Sequence, residues 1–228
     1  VGRHPAVLYL HGGAQSYDGE MSAVGPVYAN RGYLLFVPFR RGQGLSAGQG
    51  EAIRVRLNRE EQANGTSATM RLMTELLSTE QMEDVLAGLA YLRTRWDVDP
   101  SRIAIAGNSF GGILAVISAE RAEGISAVVA SAPAAQTWAQ APELRERLLS
   151  SARNARVPIL FFQAANDYDL APTEQLSGEM SRAHKPFVRK IFPAFGQTKA
   201  EGHSFGYFGG DQWGSDVFAF LAKYLGAR

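Results

Sequence analysis

Six short apolar runs alternate along the chain with longer stretches whose apolar residues recur at helical spacing. The runs cover residues 6–10, 33–37, 103–106, 127–130, 159–162 and 187–192. Such alternation is typical of βα units, in which consecutive strands lie parallel. Because the first five runs are continuously apolar, helices should cover the strands on both faces. The sequence therefore predicts an α/β protein with a mainly parallel central sheet.

Three helices can be placed between and after these strands from their apolar periodicity. Residues 112–117 form the second helix and residues 217–224 form part of the third. Ser78 and Gln81 are expected to form a capping box at the start of the first helix. The buried stripe of that helix is expected to contain Met82, Val85, Leu86, Leu89, Leu92 and Trp96.

The chain of 228 residues is long enough for one domain with a substantial core, and a single domain over its whole length is expected. Residues 39–77 should begin as a glycine-rich loop and become helical near residues 70–77. Residues 133–157 leave room for about one helix and its loops, so no large lid is expected. Trp138 in this segment and Tyr17 in the first loop either border the pocket or simply pack.

The composition excludes several classes of partner and chemistry. A net charge of +1 gives no electrostatic case for nucleic acid or an anionic membrane. No apolar run approaches the roughly 18 residues that a membrane span needs. Without cysteine there is no disulfide, thiolate metal site or cysteine nucleophile. No signal peptide is visible, but Val1 is not an initiator Met, so the compartment stays open.

A G-x-S-x-G sequence at residues 107–111 is the strongest chemical signal. It lies between a predicted strand and a predicted helix, which is the context of a nucleophile elbow. Small flanking residues let neighbouring backbone approach, and Ser109 would stand at the positive end of the helix dipole. We therefore predict Ser109 as nucleophile and the Phe110 amide as an oxyanion donor. The alternative is a glycine-rich turn with an incidental serine.

A serine hydroxyl needs a base, and the chain has four histidines. His4 and His184 are expected at the surface, and His11 is expected to shape the turn after the first strand. His203 lies in a small-residue loop between the last strand and the C-terminal helix. The chain order Ser, acid, His places the base there, so we predict His203 as the general base.

The acid should follow an intermediate strand, and Asp167 and Asp169 both come directly after the run at residues 159–162. Either carboxylate could orient the imidazole and stabilise its protonated form. The Asn-Asp pair at residues 166–167 favours a tight turn that can aim one carboxylate inward. Asp169 could then cap a helix that begins near residue 172, which favours Asp167 as the acid.

A second oxyanion donor should come from the loop after the first strand, where residues 11–14 read His-Gly-Gly-Ala. Glycines allow the backbone to turn its N–H groups inward. Gly13 is the preferred donor and Ala14 the reserve. A generic Gly-Gly turn is the alternative.

These motifs resemble the α/β-hydrolase superfamily, and within it the dienelactone hydrolase and prolyl oligopeptidase-like branch, over nearly the whole chain. The stretches that carry the resemblance are residues 10–13, 38–42, 107–111, 166–167 with Pro172, and 202–203. The resemblance implies acyl hydrolysis through an acyl-enzyme, without a cofactor, on a small-molecule or polymeric ester. It also favours Asp167 as the acid. It implies that Arg40 and Arg41 are structural and tied to a carboxylate.

Two features depart from the family pattern. Dienelactone hydrolases carry cysteine where this chain has Ser109, which argues against that specific activity. The family's usual first strand pair is missing ahead of Val7, so either the sheet is shortened at its N-terminal side or the chain is truncated.

Three functional hypotheses follow. The first is a carboxylesterase with Ser109, Asp167 and His203 as triad and the Gly13 and Phe110 amides as oxyanion hole. The second is a peptidase or amidase of the prolyl oligopeptidase type, although those usually carry a further N-terminal domain. The third is a catalytically silent α/β-hydrolase fold used as a binding module, because fold alone does not prove activity.

Overall fold

A computed structural model describes residues 2–13 and 18–226 of the chain and places six parallel strands in one sheet. The strands are β1 (His4–Leu10), β2 (Leu34–Phe36), β3 (Val98–Asn108), β4 (Ala127–Ser131), β5 (Ile159–Ala164) and β6 (Phe187–Phe192). Their order across the sheet is β2-β1-β3-β4-β5-β6, with parallel pairing throughout. The predicted α/β class and all six predicted strands are confirmed.

Helices occupy the connections between the strands, and three more follow the last strand. They are α1 (Asp18–Ala29), α2 (Ile53–Ser78), α3 (Glu80–Thr94), α4 (Phe110–Arg121), α5 (Pro142–Arg153), α6 (Ala171–Arg182), α7 (Lys199–His203), α8 (Phe205–Phe208) and α9 (Gly210–Leu225). Both faces of the sheet are covered, as the apolar strands require. Along β1, Ala6, Leu8 and Leu10 join one core cluster, whereas Val7 and Tyr9 join the other. Residues of α2 to α6 complete the first cluster, and residues of α1, α8 and α9 complete the second.

The helix predicted near residues 70–77 begins much earlier, at Ile53. Its first half carries few buried residues and many charged ones, so its apolar periodicity is too weak to identify from the sequence. At Gly65 the backbone leaves helical geometry, with φ 77° and ψ 179°. The segment is therefore two helices joined at a glycine, which is the residue that tolerates positive φ.

The capping box predicted at the start of α3 is wrong. Ser78 belongs to α2, where its Oγ donates to the Thr74 carbonyl at 2.8 Å, and Gln81 is buried in α3. Trp96 was expected in the buried stripe but lies beyond the end of α3 and is 71% exposed. The other five stripe residues face the core or pack against it.

The segment at residues 133–157 contains α5 and short turns, and no large lid covers the described part of the sheet. Trp138 in this segment is buried in the core. Tyr17 lies outside the described residues. Within the described ranges, none of the helices combines the length and the apolar character that crossing a membrane requires.

Gly111 tests how tightly the elbow is packed. A Cβ built at this position would lie 1.8 Å from the Leu10 carbonyl oxygen, so we expect Gly111→Ala to reduce the free energy of unfolding by about 3 kcal/mol. Gly178→Ala in α6 is the matched control, because its Cβ would meet nothing closer than 3.8 Å. It should be neutral or stabilise by up to about 1 kcal/mol. Urea unfolding of both variants checks this, and equal stabilities would contradict it.

Candidate active site

Because all strands run parallel, their C-terminal ends meet at one edge of the sheet, where α/β proteins build their sites. Residues 11–13 follow β1, Ser109 follows β3, and Asp167 follows β5. His203 reaches the same edge at the end of α7, after β6. The structure therefore brings together Ser109, Asp167 and His203, although they are far apart in sequence.

Ser109 sits in a strained turn between β3 and α4, with φ 57° and ψ −115°. Two close backbone approaches hold this turn. A Cβ on Gly107 would lie 2.3 Å from the Gly111 carbonyl oxygen, and Gly111 itself touches the end of β1 at Leu10. Side chains are excluded at both positions, which explains the G-x-S-x-G spacing. Strain of this kind is characteristic of functional sites.

His203 links the serine to an acid. Its Nε2 lies 2.8 Å from Ser109 Oγ, and its Nδ1 lies 2.8 Å from Asp167 Oδ1. An ionised carboxylate only accepts hydrogen bonds, so the Nδ1 proton donates to Asp167 and Nε2 is left to accept from the serine hydroxyl. This arrangement of atoms matches that of a Ser-His-Asp triad.

The structure separates the two candidate acids. Asp167 is buried, and besides His203 it accepts from the Tyr168 N–H at 2.6 Å and from Gln163 Nε2 at 2.8 Å. Asp169 points elsewhere, and its Oδ1 accepts from the Ala171 N–H at 2.8 Å at the start of α6.

The loop expected to carry His203 is in fact a single helical turn, α7. Thr198 and Glu201 form a capping box at its start, which the sequence reasoning missed. Asn166 links this turn to the loop that carries Asp167, since its Nδ2 donates to the Thr198 carbonyl at 2.9 Å. A Cβ on Gly202 would lie 2.6 Å from Asn166 Oδ1, so a glycine is needed before the histidine.

The loop after β1 lies beside the elbow. A Cβ on Gly13 would be 3.9 Å from Phe110 Cβ, so the two predicted oxyanion donors are neighbours. Phe110 is the first residue of α4, and its N–H therefore has no acceptor within the helix. The Gly12 N–H donates to the Tyr207 hydroxyl at 2.7 Å. Ala14, the reserve donor, lies outside the described residues.

The two adjacent arginines have different partners. Arg41 contacts acidic residues of α3, with its Nη2 2.8 Å from Asp84 Oδ1, as expected for a structural arginine. Arg40 contacts the main chain of the loop after β1. Its Nη1 donates to the His11 carbonyl at 2.8 Å and its Nη2 to the Gly12 carbonyl at 2.7 Å.

His11 is buried beside Arg40, whereas the sequence suggested only a turn-shaping role. Burial, together with the positive charge of Arg40, lowers the pKa of His11 to about 3. The imidazole is therefore neutral at physiological pH, and it adds no second positive charge to the loop. His184, by contrast, is exposed after α6, as predicted.

A cavity of about 440 Å³ opens beside Ser109. Its lining includes both oxyanion candidates and the catalytic candidates Ser109 and His203. The unexpected part of the lining comes from α2: Ile53, Arg54, Leu57, Asn58 and Met73. A second cavity of about 400 Å³ lies next to it, and Gln136 borders both cavities.

Three supporting residues had no clear sequence signal. Tyr207 accepts from the Gly12 N–H, a residue 195 positions away in the sequence, so spacing cannot reveal this contact. Gln163 lies within β5 and donates to Asp167, four residues later. Tyr168 packs edge-on against the His203 ring, with the ring centroids 5.4 Å apart. Burial raises the pKa of Tyr207 to about 12, so its hydroxyl stays protonated.

Among the described residues, no group of three or more His, Asp or Glu side chains could hold a metal ion.

The parallel sheet and the serine at its strand–helix turn define an α/β-hydrolase. A sequence model of the dienelactone hydrolase family matches residues 3–215. The chain therefore belongs to the dienelactone hydrolase family, which is a family of hydrolases. No curated protein matches the chain.

Solved structures share the fold at low sequence identity. An acylaminoacyl peptidase of Pyrococcus horikoshii is 17% identical with a TM-score of 0.66, and the match covers 100% of this chain and 38% of that chain. An esterase of Pyrococcus furiosus is 17% identical with a TM-score of 0.69, and the match covers 99% of this chain and 85% of that chain. A puromycin-hydrolyzing peptidase of Mycobacterium tuberculosis is 20% identical with a TM-score of 0.68, and the match covers 99% of this chain and 35% of that chain. The chain thus spans less than two fifths of each of these peptidases.

The contacts of the two aspartates generate a paired prediction. Asp167→Asn should keep the fold and lower kcat by about 10⁴-fold, because an amide beside Nδ1 favours the wrong imidazole tautomer. Asp169→Asn should change kcat little and cost about 1 kcal/mol of stability, as expected for a residue at a helix start. Ester turnover of both variants, measured at matched folded concentration, decides which aspartate is the acid. If Asp169→Asn loses activity and Asp167→Asn does not, Asp169 is the acid instead.

Proposed function

We propose that the chain is a serine hydrolase that cleaves carboxylic esters through an acyl-enzyme intermediate. The observation that carries this proposal is the continuous contact from Ser109 Oγ through His203 to Asp167, at 2.8 Å for each step. It is supported by the position of Ser109 at a strained elbow on the rim of a cavity.

In the first half of the reaction, Ser109 Oγ attacks the ester carbonyl carbon and its proton moves to His203 Nε2. Asp167 stabilises the resulting imidazolium. The negative charge on the former carbonyl oxygen is met by the N–H groups of Phe110 and Gly13. The imidazolium then protonates the alcohol oxygen as the carbon–oxygen bond breaks, which leaves the acyl group on Ser109.

In the second half, a water molecule gives one proton to His203 and its oxygen attacks the acyl carbon. The bond to Ser109 Oγ breaks, and the serine recovers its proton from the imidazolium. The carboxylic acid leaves, and the enzyme returns to its starting state. No cofactor enters this sequence.

The cavity lining suggests how the ester lies. The large apolar side chains of the lining, here called the acyl wall, are those of Ile53, Leu57, Met73, Phe110 and Ile113. We assign the acyl part of the substrate to this wall. Polar side chains of the lining include Glu20, Gln136, Thr137, Ser204 and Tyr207. The alcohol part would face these polar groups, and the second cavity beyond Gln136 gives room for a longer alcohol or for a polymer chain.

A peptidase or amidase is the second candidate, because two of the structural relatives are named as peptidases. Amide cleavage would use the same serine and base, so only turnover separates the two activities. A silent binding module would leave the aligned serine, base and acid without a use.

Ser109→Ala should lower ester turnover by about 10⁶-fold while the thermal unfolding midpoint stays close to that of the parent, because triad members act as one unit. A fluorophosphonate probe should label the parent and not the variant. Ser181→Ala, at the exposed end of α6, is the control and should behave as the parent. A Ser109→Ala variant with more than a tenth of parental turnover would remove Ser109 from the mechanism. A parent that neither reacts with the probe nor turns over any ester would favour the silent module.

Acyl length and leaving group define the activity further. For p-nitrophenyl esters we expect the highest kcat/KM with acyl chains of about two to six carbons, since each buried CH₂ contributes about 0.8 kcal/mol only while the cavity has room. Met73→Ala should move the optimum to longer chains, whereas Met70→Ala, which packs against the core outside the cavity, should not. A palmitoyl ester cleaved better than a butyryl ester by the parent would contradict this. Faster turnover of an anilide than of the matching ester would favour the amidase.

A further inference from the structure

Arg40 holds the loop that carries the predicted oxyanion donor. Its two terminal nitrogens donate to successive main-chain carbonyls, those of His11 and Gly12, at 2.8 and 2.7 Å. The side chain is only 4% exposed, and its guanidinium lies 4.5 Å from the centre of the Phe110 ring. One cation therefore contacts both segments from which oxyanion donors are expected.

These contacts determine where the neighbouring N–H groups point. In a planar trans peptide, the C=O and the following N–H point in opposite directions. With the Gly12 carbonyl bound to Arg40, the Gly13 N–H is directed away from the guanidinium. In the preceding peptide, the Gly12 N–H is occupied by the Tyr207 hydroxyl at 2.7 Å.

The next peptide is held as well, because Arg54 Nη2 donates to the Gly13 carbonyl at 3.0 Å. The Gly13 N–H itself has no hydrogen-bond partner within residues 2–13 and 18–226. Gly13 lines the cavity next to Phe110. The loop is thus fixed through its carbonyls, while one amide is left available beside Ser109.

We propose that Arg40, assisted by Tyr207, is a positioning residue that builds the oxyanion hole by orienting the Gly13 amide. This inference rests on the proposed serine hydrolase function. Arg40 acts through the Gly12–Gly13 peptide and does not need to touch substrate. Its charge also polarises that peptide, which strengthens the Gly13 N–H as a donor.

The planar fork of arginine is essential to this role. Only a guanidinium can donate to two carbonyls at once in fixed geometry, and lysine offers a single point charge. Arg40→Lys keeps the charge and loses the fork. Arg41→Lys is the matched control, because Arg41 is the adjacent residue and contacts the acidic side chains of α3 instead.

The experiment measures kcat and KM for a short-chain p-nitrophenyl ester, together with the inhibition constant of a boronic acid that forms a tetrahedral adduct on serine. We expect Arg40→Lys to lower kcat by about 10²-fold, the loss typical of one oxyanion donor, with KM changed less than threefold. Boronate affinity should fall in parallel. Tyr207→Phe should show a smaller loss of the same kind. Arg41→Lys should keep kcat and boronate affinity within threefold, whatever its stability.

Thermal unfolding of each variant shows whether it is folded, and only folded protein is compared. If folded Arg40→Lys keeps kcat within threefold of the parent, or if its loss lies wholly in KM, the proposal is overturned. Should Arg40→Lys not fold, Tyr207→Phe decides by the same criteria. If the parent itself neither hydrolyses esters nor binds the boronate, the proposed function fails instead, so the two failures are distinguishable.

Discussion

The contact between the elbow and the end of β1 is the constraint on which the site depends. Gly111 lies so close to the Leu10 carbonyl that no side chain fits between them, and Gly107 closes the turn from the other side. This approach pulls the start of α4 against the loop that follows β1. It therefore determines the strained backbone of Ser109 and the proximity of Gly13 to Phe110 in one step.

One buried cation, Arg40, contacts the described part of the loop after β1, and the buried His11 of that loop is neutral. Arg40 is solvated by main-chain carbonyls and by the Phe110 ring, which partly replaces the water it has lost. His11, beside it, stays neutral because burial and Arg40 both lower its pKa. A positive field close to Ser109 favours a negative charge that develops on a substrate oxygen.

The sequence predicted the sheet, the strand–helix turn at residue 109 and the position of His203 between the last strand and the C-terminal helix, because each follows from local pattern and chain order. Apolar runs identify strands, and G-x-S-x-G in a strand–helix context identifies the turn. What it missed has two different causes, long-range contacts and weak apolar periodicity. The contact of Arg40 with the Gly12 carbonyl could not be predicted from the surrounding sequence, since the adjacent Arg41 has the same local context and binds Asp84 instead. The early start of α2 was missed because an exposed, charged helix has little apolar periodicity.

That missed helix has a functional meaning. The groups expected to carry out chemistry come from the ends of β1, β3 and β5 and from α7, all tied to the sheet. A large part of the cavity wall comes instead from α2, which is interrupted at Gly65 and carries few buried residues in its first half. Substitutions on this helix can therefore reshape the acyl wall with little effect on the position of Ser109. In the proposed function, α2 supplies three of the five acyl-wall residues, Ile53, Leu57 and Met73, and α4 supplies the other two. The helix that contributes most to this wall is thus the one that sequence pattern identifies least well.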